Sequence, residues 1–241
     1  MSDFDFEGVF EEDYLHFYEP MLTERTEADV ETIVSLLERE SGAEILDCPC
    51  GHGRISNALA ARGFRVTGID ASELSLERAR ADAQAQGLDA EYVQGDMRKL
   101  PWRDRFDALV NWFTSFGYFS DEQNQAVLRE FHDALRPGGR LILETQNITR
   151  ILLQPRPQHW LERDGDLMLD EWKLDVENAR FVTERTVVRG GRTRRTQFVI
   201  RWFSPPELRV WLEDAGFENV RMPGLEPETR LLVVADRPPE R

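Results

Sequence analysis

Between Glu44 and Thr145 the chain alternates short apolar runs with segments of helical periodicity, and this alternation limits the fold more than any other feature. Strands are expected over 44–47, 65–70, 90–94, 106–112 and 140–145. A glycine turn after Asp47 leads into a helix through Leu59 to Gly63, and a second helix runs from about Ser72 to Gly87. A third carries Val127, Phe131, Ala134 and Leu135 on one face, opens with the capping-box pattern Ser120-x-x-Gln123, and stops at Arg136-Pro137-Gly138-Gly139. Strands that alternate with helices imply parallel pairing with helices on both faces of one sheet.

The flanks differ. Residues 1–22 are acidic and aromatic-rich, with Tyr14, Phe17 and Tyr18 close together. From Thr23, the spacing of Val30, Ile33, Val34 and Leu37 predicts a helix ended by Gly42. After Asn147 the period changes to two: Trp172, Leu174 and Val176, then 181–188, then Phe198, Ile200 and Trp202, with Arg189-Gly190-Gly191-Arg192 as a hairpin turn. Ser204-Pro205-Pro206-Glu207 starts a helix whose buried face is Leu208, Trp211, Leu212 and Ala215, and 217–222 and 230–235 are the last strands. The expected division is therefore 1–150 for an N-terminal cap and α/β core, 151–203 for an antiparallel β insertion acting as substrate lid or dimer surface, and 204–241 for completion of the core.

Composition narrows the partners. A formal charge of −15 disfavours nucleic acid and anionic membrane and suits a small neutral or cationic molecule. No apolar run approaches the roughly 18 residues of a membrane span, and the acidic stretch 1–7 argues against a signal peptide, so the expected location is cytoplasmic. Cys48 and Cys50, separated by Pro49, read as reduced thiols packed at a strand end; no metal site is expected.

In an open α/β sheet, ligands bind beyond the carboxyl ends of the strands. After the first strand, Gly51 and Gly53 allow a tight turn that a ligand can approach, followed by free N–H groups at a helix start. The third glycine of the dinucleotide fingerprint is missing, with Ser56 in its place. Asp70 ends the second strand, where a carboxylate suits both hydroxyls of a ribose without a 2′-phosphate; a helix cap is the other reading, although Ser72 is available for that. Asp96 follows the third strand, as an acceptor for the adenine amine or as an ordinary loop aspartate.

These segments resemble the class I S-adenosylmethionine-dependent methyltransferases: Ile45-Leu46-Asp47-Cys48-Pro49-Cys50-Gly51-His52-Gly53, Val66-Thr67-Gly68-Ile69-Asp70-Ala71-Ser72, Gly95-Asp96-Met97, Phe106-Asp107-Ala108-Leu109-Val110 and Leu135-Arg136-Pro137-Gly138-Gly139. Arg201-Trp202-Phe203-Ser204-Pro205-Pro206-Glu207-Leu208 with Ala215-Gly216-Phe217 resembles the usual C-terminal part. His52, where the family often has Thr or Ser, and Cys48-Pro49 depart from the pattern. The resemblance implies a doubly wound, Rossmann-like sheet of seven mostly parallel strands with the last one antiparallel, and a cofactor, S-adenosylmethionine, leaving as S-adenosylhomocysteine. It places the motif from Asp47 with Gly51 and Gly53 at the methionine part, Asp70 at the ribose, Ala71 beside the adenine face, Asp96 and Met97 at the base, and the Asn111 carbonyl near the methionine amino group. Tyr14 and Tyr18 correspond to aromatic positions that close over the cofactor. Arg25 is either a partner for the cofactor carboxylate or a solvated arginine at a helix start.

The implied reaction is transfer of a methyl group to a small-molecule nitrogen or oxygen, or to carbon, by in-line displacement, in a monomer or homodimer. Trp112, Thr114, Ser115, Phe116 and Tyr118 are candidates for the substrate side, with Phe113, Phe116 and Phe119 also suited to core packing. His16 and His159 are candidate bases, His132 reads as structural, and no residue is assigned to catalysis. The arginines 185, 189, 192, 194, 195 and 201 read as a solvated hairpin face, with an anionic substrate group as the alternative. The competing functions are an NAD-dependent oxidoreductase, disfavoured by Ser56 and the lack of a second mononucleotide-binding half, and a non-catalytic binding protein of the same fold.

Overall fold

The computed structural model describes residues 9, 10 and 12–240; the acidic stretch 1–7 lies outside them. In chain order the elements are α1 (Glu12–Leu37), β1 (Glu44–Asp47), α2 (Arg54–Ala61), β2 (Arg65–Asp70), α3 (Glu73–Gln86), β3 (Ala90–Gln94), β4 (Phe106–Asn111), α4 (Asp121–Ala134), β5 (Leu135–Thr145), α5 (Ile148–Leu153), β6 (Gln158–Arg163), β7 (Asp166–Asp175), β8 (Arg180–Arg189), β9 (Arg192–Arg201), α6 (Pro205–Asp214), β10 (Glu218–Arg221) and β11 (Leu231–Asp236).

Seven strands form one sheet in the order β10-β11-β5-β4-β1-β2-β3. β1 pairs in parallel with β2 and β4, whereas β11 runs antiparallel to β5 and β10. This is the doubly wound arrangement expected from the alternation. The chain moves outward from β1 to β3 and then returns to β4, so the switch of strand order falls between β1 and β4.

The unbroken apolar runs follow from burial on both faces. In β1, Leu46 packs with Leu109, Leu141, Phe131 and Leu212 on the α4–α6 side. Its neighbour Ile45 packs with Val66, Val110, Val30, Ile33 and Leu59 on the α1–α2 side. Helix starts follow their sequence signals: Ser72 accepts the Ser75 N–H, and Ser120 and Ser204 form reciprocal capping boxes with Gln123 and Glu207.

β6 to β9 form a separate antiparallel sheet. Its edge strand β6 and helix α5 have no counterpart in the sequence reading, and Val176, expected to alternate inward, lies past β7 and is 69% exposed. Phe198 and Ile200 pack on Val9, and Met168 and Val187 on Phe17, so this sheet backs the N-terminal part of α1.

Helix α1 starts at Glu12, not near Thr23, and runs through Pro20. Proline has no N–H to give to the carbonyl four residues earlier. That carbonyl belongs to His16, and it accepts instead from the Arg163 guanidinium at the end of β6. Among the described residues no helix is long and apolar enough to cross a membrane.

Candidate active site

A cleft of about 930 Å³, counted to its open mouth, lies beyond the carboxyl ends of β1 to β4. Its wall takes residues from the turns after all four strands, and α1 contributes Tyr14 and Leu22.

The turn after β1 is fixed by what it packs against. Gly51 and Gly53 have φ of +54° and +77°. A Cβ on Gly53 would come within 2.6 Å of the Ala79 side chain and 2.7 Å of the Tyr92 hydroxyl, so Gly53 serves the contact between α2 and α3 and does not line the cleft. Gly51 has open space where its Cβ would stand, and it does line the cleft. Asp47 is 2% exposed and accepts the Ser56 hydroxyl at 2.6 Å, which gives Ser56 a structural role where the dinucleotide fingerprint has glycine. Burial pushes the Asp47 carboxyl up to about 7, against the pull of Ser56 and Arg54.

Asp70 faces the same space. Its Oδ2 accepts the Gly51 N–H at 2.8 Å and its Oδ1 the Ser72 N–H at 2.9 Å, while Ser72 itself caps α3. Burial raises its pKa, and the Ser72, Gly51 and Ala71 N–H groups pull it back. Beyond β3, Asp96 lines the cleft with Met97 and is held by Arg98, whose Nε and Nη2 reach Asp96 Oδ2 at 2.9 and 2.6 Å.

After β4 come Trp112, Phe113, Ser115 and Tyr118 on the wall. Phe113 and Thr114 both have positive φ, 60° and 57°, which non-glycine residues rarely adopt. Glu144 holds them there: its Oε2 accepts the Phe113 N–H at 2.7 Å and its carbonyl the Thr114 N–H at 3.2 Å. The Phe113 ring lies beneath the guanidinium groups of both Arg25 and Arg54. Asp29 joins Arg25, Arg54 and Arg230 at 3.3, 2.9 and 3.3 Å. Burial raises the Asp29 carboxyl, but these three cations outweigh it and hold it below the usual range.

Tyr14 stacks on Tyr18 with ring centroids 4.7 Å apart. Behind them Arg185, read from the sequence as part of a solvated face, is buried and meets Asp170 through two hydrogen bonds of 2.7 Å. Burial of Tyr18 and its Asp170 partner raise its pKa to about 12, against the pull of Arg185. Arg201 is also buried, against Glu207. Two of the six arginines of the cluster, Arg185 and Arg201, are therefore internal, and each meets a carboxylate there.

Of the residues singled out in the sequence, Tyr14, Asp47, Gly51, Asp70, Ala71, Asp96 and Met97 meet at this wall. Tyr18, Arg25, Gly53 and Asn111 stand behind it. Asn111 is fully buried and donates to the Cys48 carbonyl at 2.8 Å, tying β4 to the turn after β1. Arg54 and Ser75 line the cleft without having been singled out; a cation directly after the second glycine was the available signal for Arg54. Phe116 belongs to the core, and Thr114 is not on the wall. His16 turns to Asp166 at 3.3 Å, His159 is exposed on β6, and His132 contacts Asp133 and Phe217. Among the described residues, His52 is the histidine on the wall; burial lowers its pKa, and it is surrounded by Glu19, Arg54, Asp82 and Arg78, on the α1–α3 side.

A family model described as "Methyltransferase domain" matches residues 45–139. The chain is 38% identical over 212 residues to a ubiquinone biosynthesis O-methyltransferase of Rickettsia canadensis, covering 88% of this chain and 76% of that one. The chain belongs to the class I S-adenosylmethionine-dependent methyltransferases. This methyltransferase is also 29% identical to the cypemycin N-terminal methyltransferase of a Streptomyces species, over 81% and 84% of the two chains. Against a Geobacillus protein named as a putative methyltransferase it is 28% identical over 141 residues and spans 57% of the relative's length. Its fold matches the CcbJ methyltransferase of Streptomyces caelestis with a TM-score of 0.76 and 20% identity, over 90% of each chain. As an enzyme of this class it uses S-adenosylmethionine to methylate a small-molecule nucleophile. The cleft suits that cofactor: Asp70 is presented from its backbone cradle, the Gly51 turn leaves open space, and the buried Arg54 Nη2 has no partner among the described residues.

Proposed function

We propose that this methyltransferase transfers its methyl group to an amine nitrogen. The observation that supports nitrogen is the stretch of wall formed by Trp112, Phe113, Ser115, Tyr118 and Tyr14, which among the described residues carries no base ready to take a proton from a hydroxyl. Burial raises the pKa values of Tyr14 and Tyr118, so both stay neutral phenols, and His52 lies among groups of α1 and α3. An amine needs only its free base, whereas most hydroxyl and carbon nucleophiles need deprotonation.

In this reading Asp70 accepts from the ribose hydroxyls with the lone pairs its backbone donors leave over. Ala71, Asp96 and Met97 flank the base. Gly51, the start of α2 and Arg54 receive the amino-acid end, with Arg25 and Asn111 as supports. Tyr14 closes the cleft, and the 151–203 insertion acts as a lid through α1, since its sheet grips that helix by Phe17 and Tyr18. When bound, S-adenosylmethionine supplies a methyl group on a positively charged sulfur, which a correctly aligned lone pair can take with a neutral thioether leaving. The formal charge of −15 supports a small molecule over nucleic acid as partner, and a cytoplasmic enzyme, monomer or homodimer, completes the reading.

The test is a screen of paired acceptors that differ only in carrying an amine or a hydroxyl, with methyl-labelled cofactor and mass-spectrometric detection. Label on the amine members supports nitrogen. Label on the hydroxyl members alone would make oxygen the acceptor, as the name of the Rickettsia relative has it.

A further inference from the structure

Among the described residues, three carboxylates line this cleft: Asp47, Asp70 and Asp96. Their compensation is uneven. Asp96 is neutralised by the two-pronged Arg98 contact. The cation on the wall, Arg54, is already paired with Asp29 at 2.9 Å. Among the described residues Asp70 has no cation partner, but it takes backbone N–H groups on both oxygens, which favours its charged form. Asp47 has less support than Asp70: Ser56 alone gives it hydrogen bonds among the described residues, through its hydroxyl and its N–H, and it stands 2% exposed in the same space. Two neighbouring carboxylates beside a cation that is already paired, Arg54 with Asp29, cannot both ionise freely in a low-dielectric wall.

We propose that Asp47 is a charge-reading, specificity-determining residue: in the empty cleft it is divided between its protonated and ionised forms, the positively charged methyl donor drives it to the ionised form on entering, and Asp47 so favours donor over demethylated product. The inference rests on the functional reading above. The balance is simple: the O–H bond of the Asp47 carboxyl breaks, the electron pair stays on the carboxylate, and the proton goes to bulk buffer. S-adenosylhomocysteine keeps the same amino acid and adenosine but has lost the sulfonium charge, so it gives Asp47 less reason to ionise.

The groups facing Asp47 act in opposite senses. From α2, Arg54 and Ser56 favour ionisation; from β2, Asp70 opposes it. The neighbouring thiols Cys48 and Cys50 and the Tyr92 phenol are all raised by burial, so they remain neutral and lend no charge. Burial holds the Asp47 proton up to about 7 in the empty cleft, where a nearby charge can displace it.

The experiment is calorimetric titration of the full chain with S-adenosylmethionine and, separately, S-adenosylhomocysteine at about pH 7, in buffers of different ionisation enthalpy, which counts protons released on binding. A half-protonated Asp47 should release about half a proton per site with the donor and clearly less with the product. Any proton lost by the shared amino group cancels in the difference. Asp47→Asn, which keeps an acceptor for Ser56, should abolish that difference and narrow the donor-to-product affinity ratio about tenfold. Binding of both ligands with equal proton counts, or an unchanged difference in Asp47→Asn, would overturn the proposal while leaving the cofactor assignment intact. No binding of either ligand to the wild-type chain would overturn the cofactor assignment, and this proposal with it. Should Asp47→Asn fail to fold, the wild-type donor-minus-product difference decides alone.

Discussion

The Asp70 carboxylate accepts the main-chain N–H of Gly51 at 2.8 Å, so the residue that ends β2 also fixes the shape of the turn after β1. Cofactor affinity and turn geometry are therefore linked through one side chain. Asp70→Ala removes hydrogen bonds to a charged acceptor, each worth roughly 1.5–3 kcal/mol. The expected outcome is a loss of at least about a hundredfold in cofactor affinity together with a lower melting temperature. Asp70→Asn keeps one acceptor oxygen and should fall between. Affinity unchanged in a folded Asp70→Ala protein would remove Asp70 from the ribose.

The two glycines of the turn should separate experimentally. Gly53→Ala drives a Cβ into Ala79 and the Tyr92 hydroxyl at positive φ, so denaturant unfolding should show a loss of about 1–3 kcal/mol. Gly51→Ala meets no atom of the fold and should lose about 1–2 kcal/mol to backbone strain, with its further effect falling on ligand binding. If Gly53→Ala were as stable as wild type while binding no cofactor, the packing role of Gly53 would be wrong.

The buried Asp170–Arg185 pair holds the Tyr18–Tyr14 stack against the insertion. Removing one partner of a buried pair typically loses about 3–5 kcal/mol, so Arg185→Met should unfold at markedly lower denaturant. The double change Asp170→Leu with Arg185→Met should regain most of that stability. A single variant as stable as wild type would show that the pair carries no weight.

Much of this was legible in the sequence because the core obeys simple periods. Ile45 and Leu46 read as a strand buried on two faces, and both faces are filled. Ser120-x-x-Gln123 read as a capping box and is one. What stayed hidden depends on contacts between distant segments. Pro20 argues against a helix until Arg163, more than a hundred residues later, takes over the His16 carbonyl. Gly53 looked like a ligand-facing glycine, yet its need is set by Ala79 and Tyr92. Arg185 looked like surface charge because its partner Asp170 lies on another strand. Arg25 is the arginine singled out as an anion partner in the sequence, and the fold puts Arg54 on the wall instead.

Stability should carry the mark of Asp47. Its carboxyl is raised from 3.8 unfolded to about 7 folded, so the folded chain binds the extra proton and stability falls as pH rises between those values. Below about 3.8 and above about 7 the contribution is level. Asp70 and Glu144 are raised as well, and His52, lowered by burial, acts in the opposite sense below 6.5. The difference between wild type and Asp47→Asn cancels these. It should decline with pH by up to about 1.4 kcal/mol per pH unit. A difference that stays flat from about pH 5 to pH 7.5 would mean that Asp47 is ionised throughout.

The most direct measurement is equilibrium binding of S-adenosylmethionine to the purified chain, followed by calorimetry with NAD as the comparison ligand and Asp70→Ala as the comparison protein. The expected result is one saturable site per chain for S-adenosylmethionine, competed by S-adenosylhomocysteine, weakened in Asp70→Ala, and indifferent to NAD. Saturable binding of NAD in its place, or full S-adenosylmethionine affinity in a folded Asp70→Ala protein, would contradict the placement of the methyl donor in this cleft.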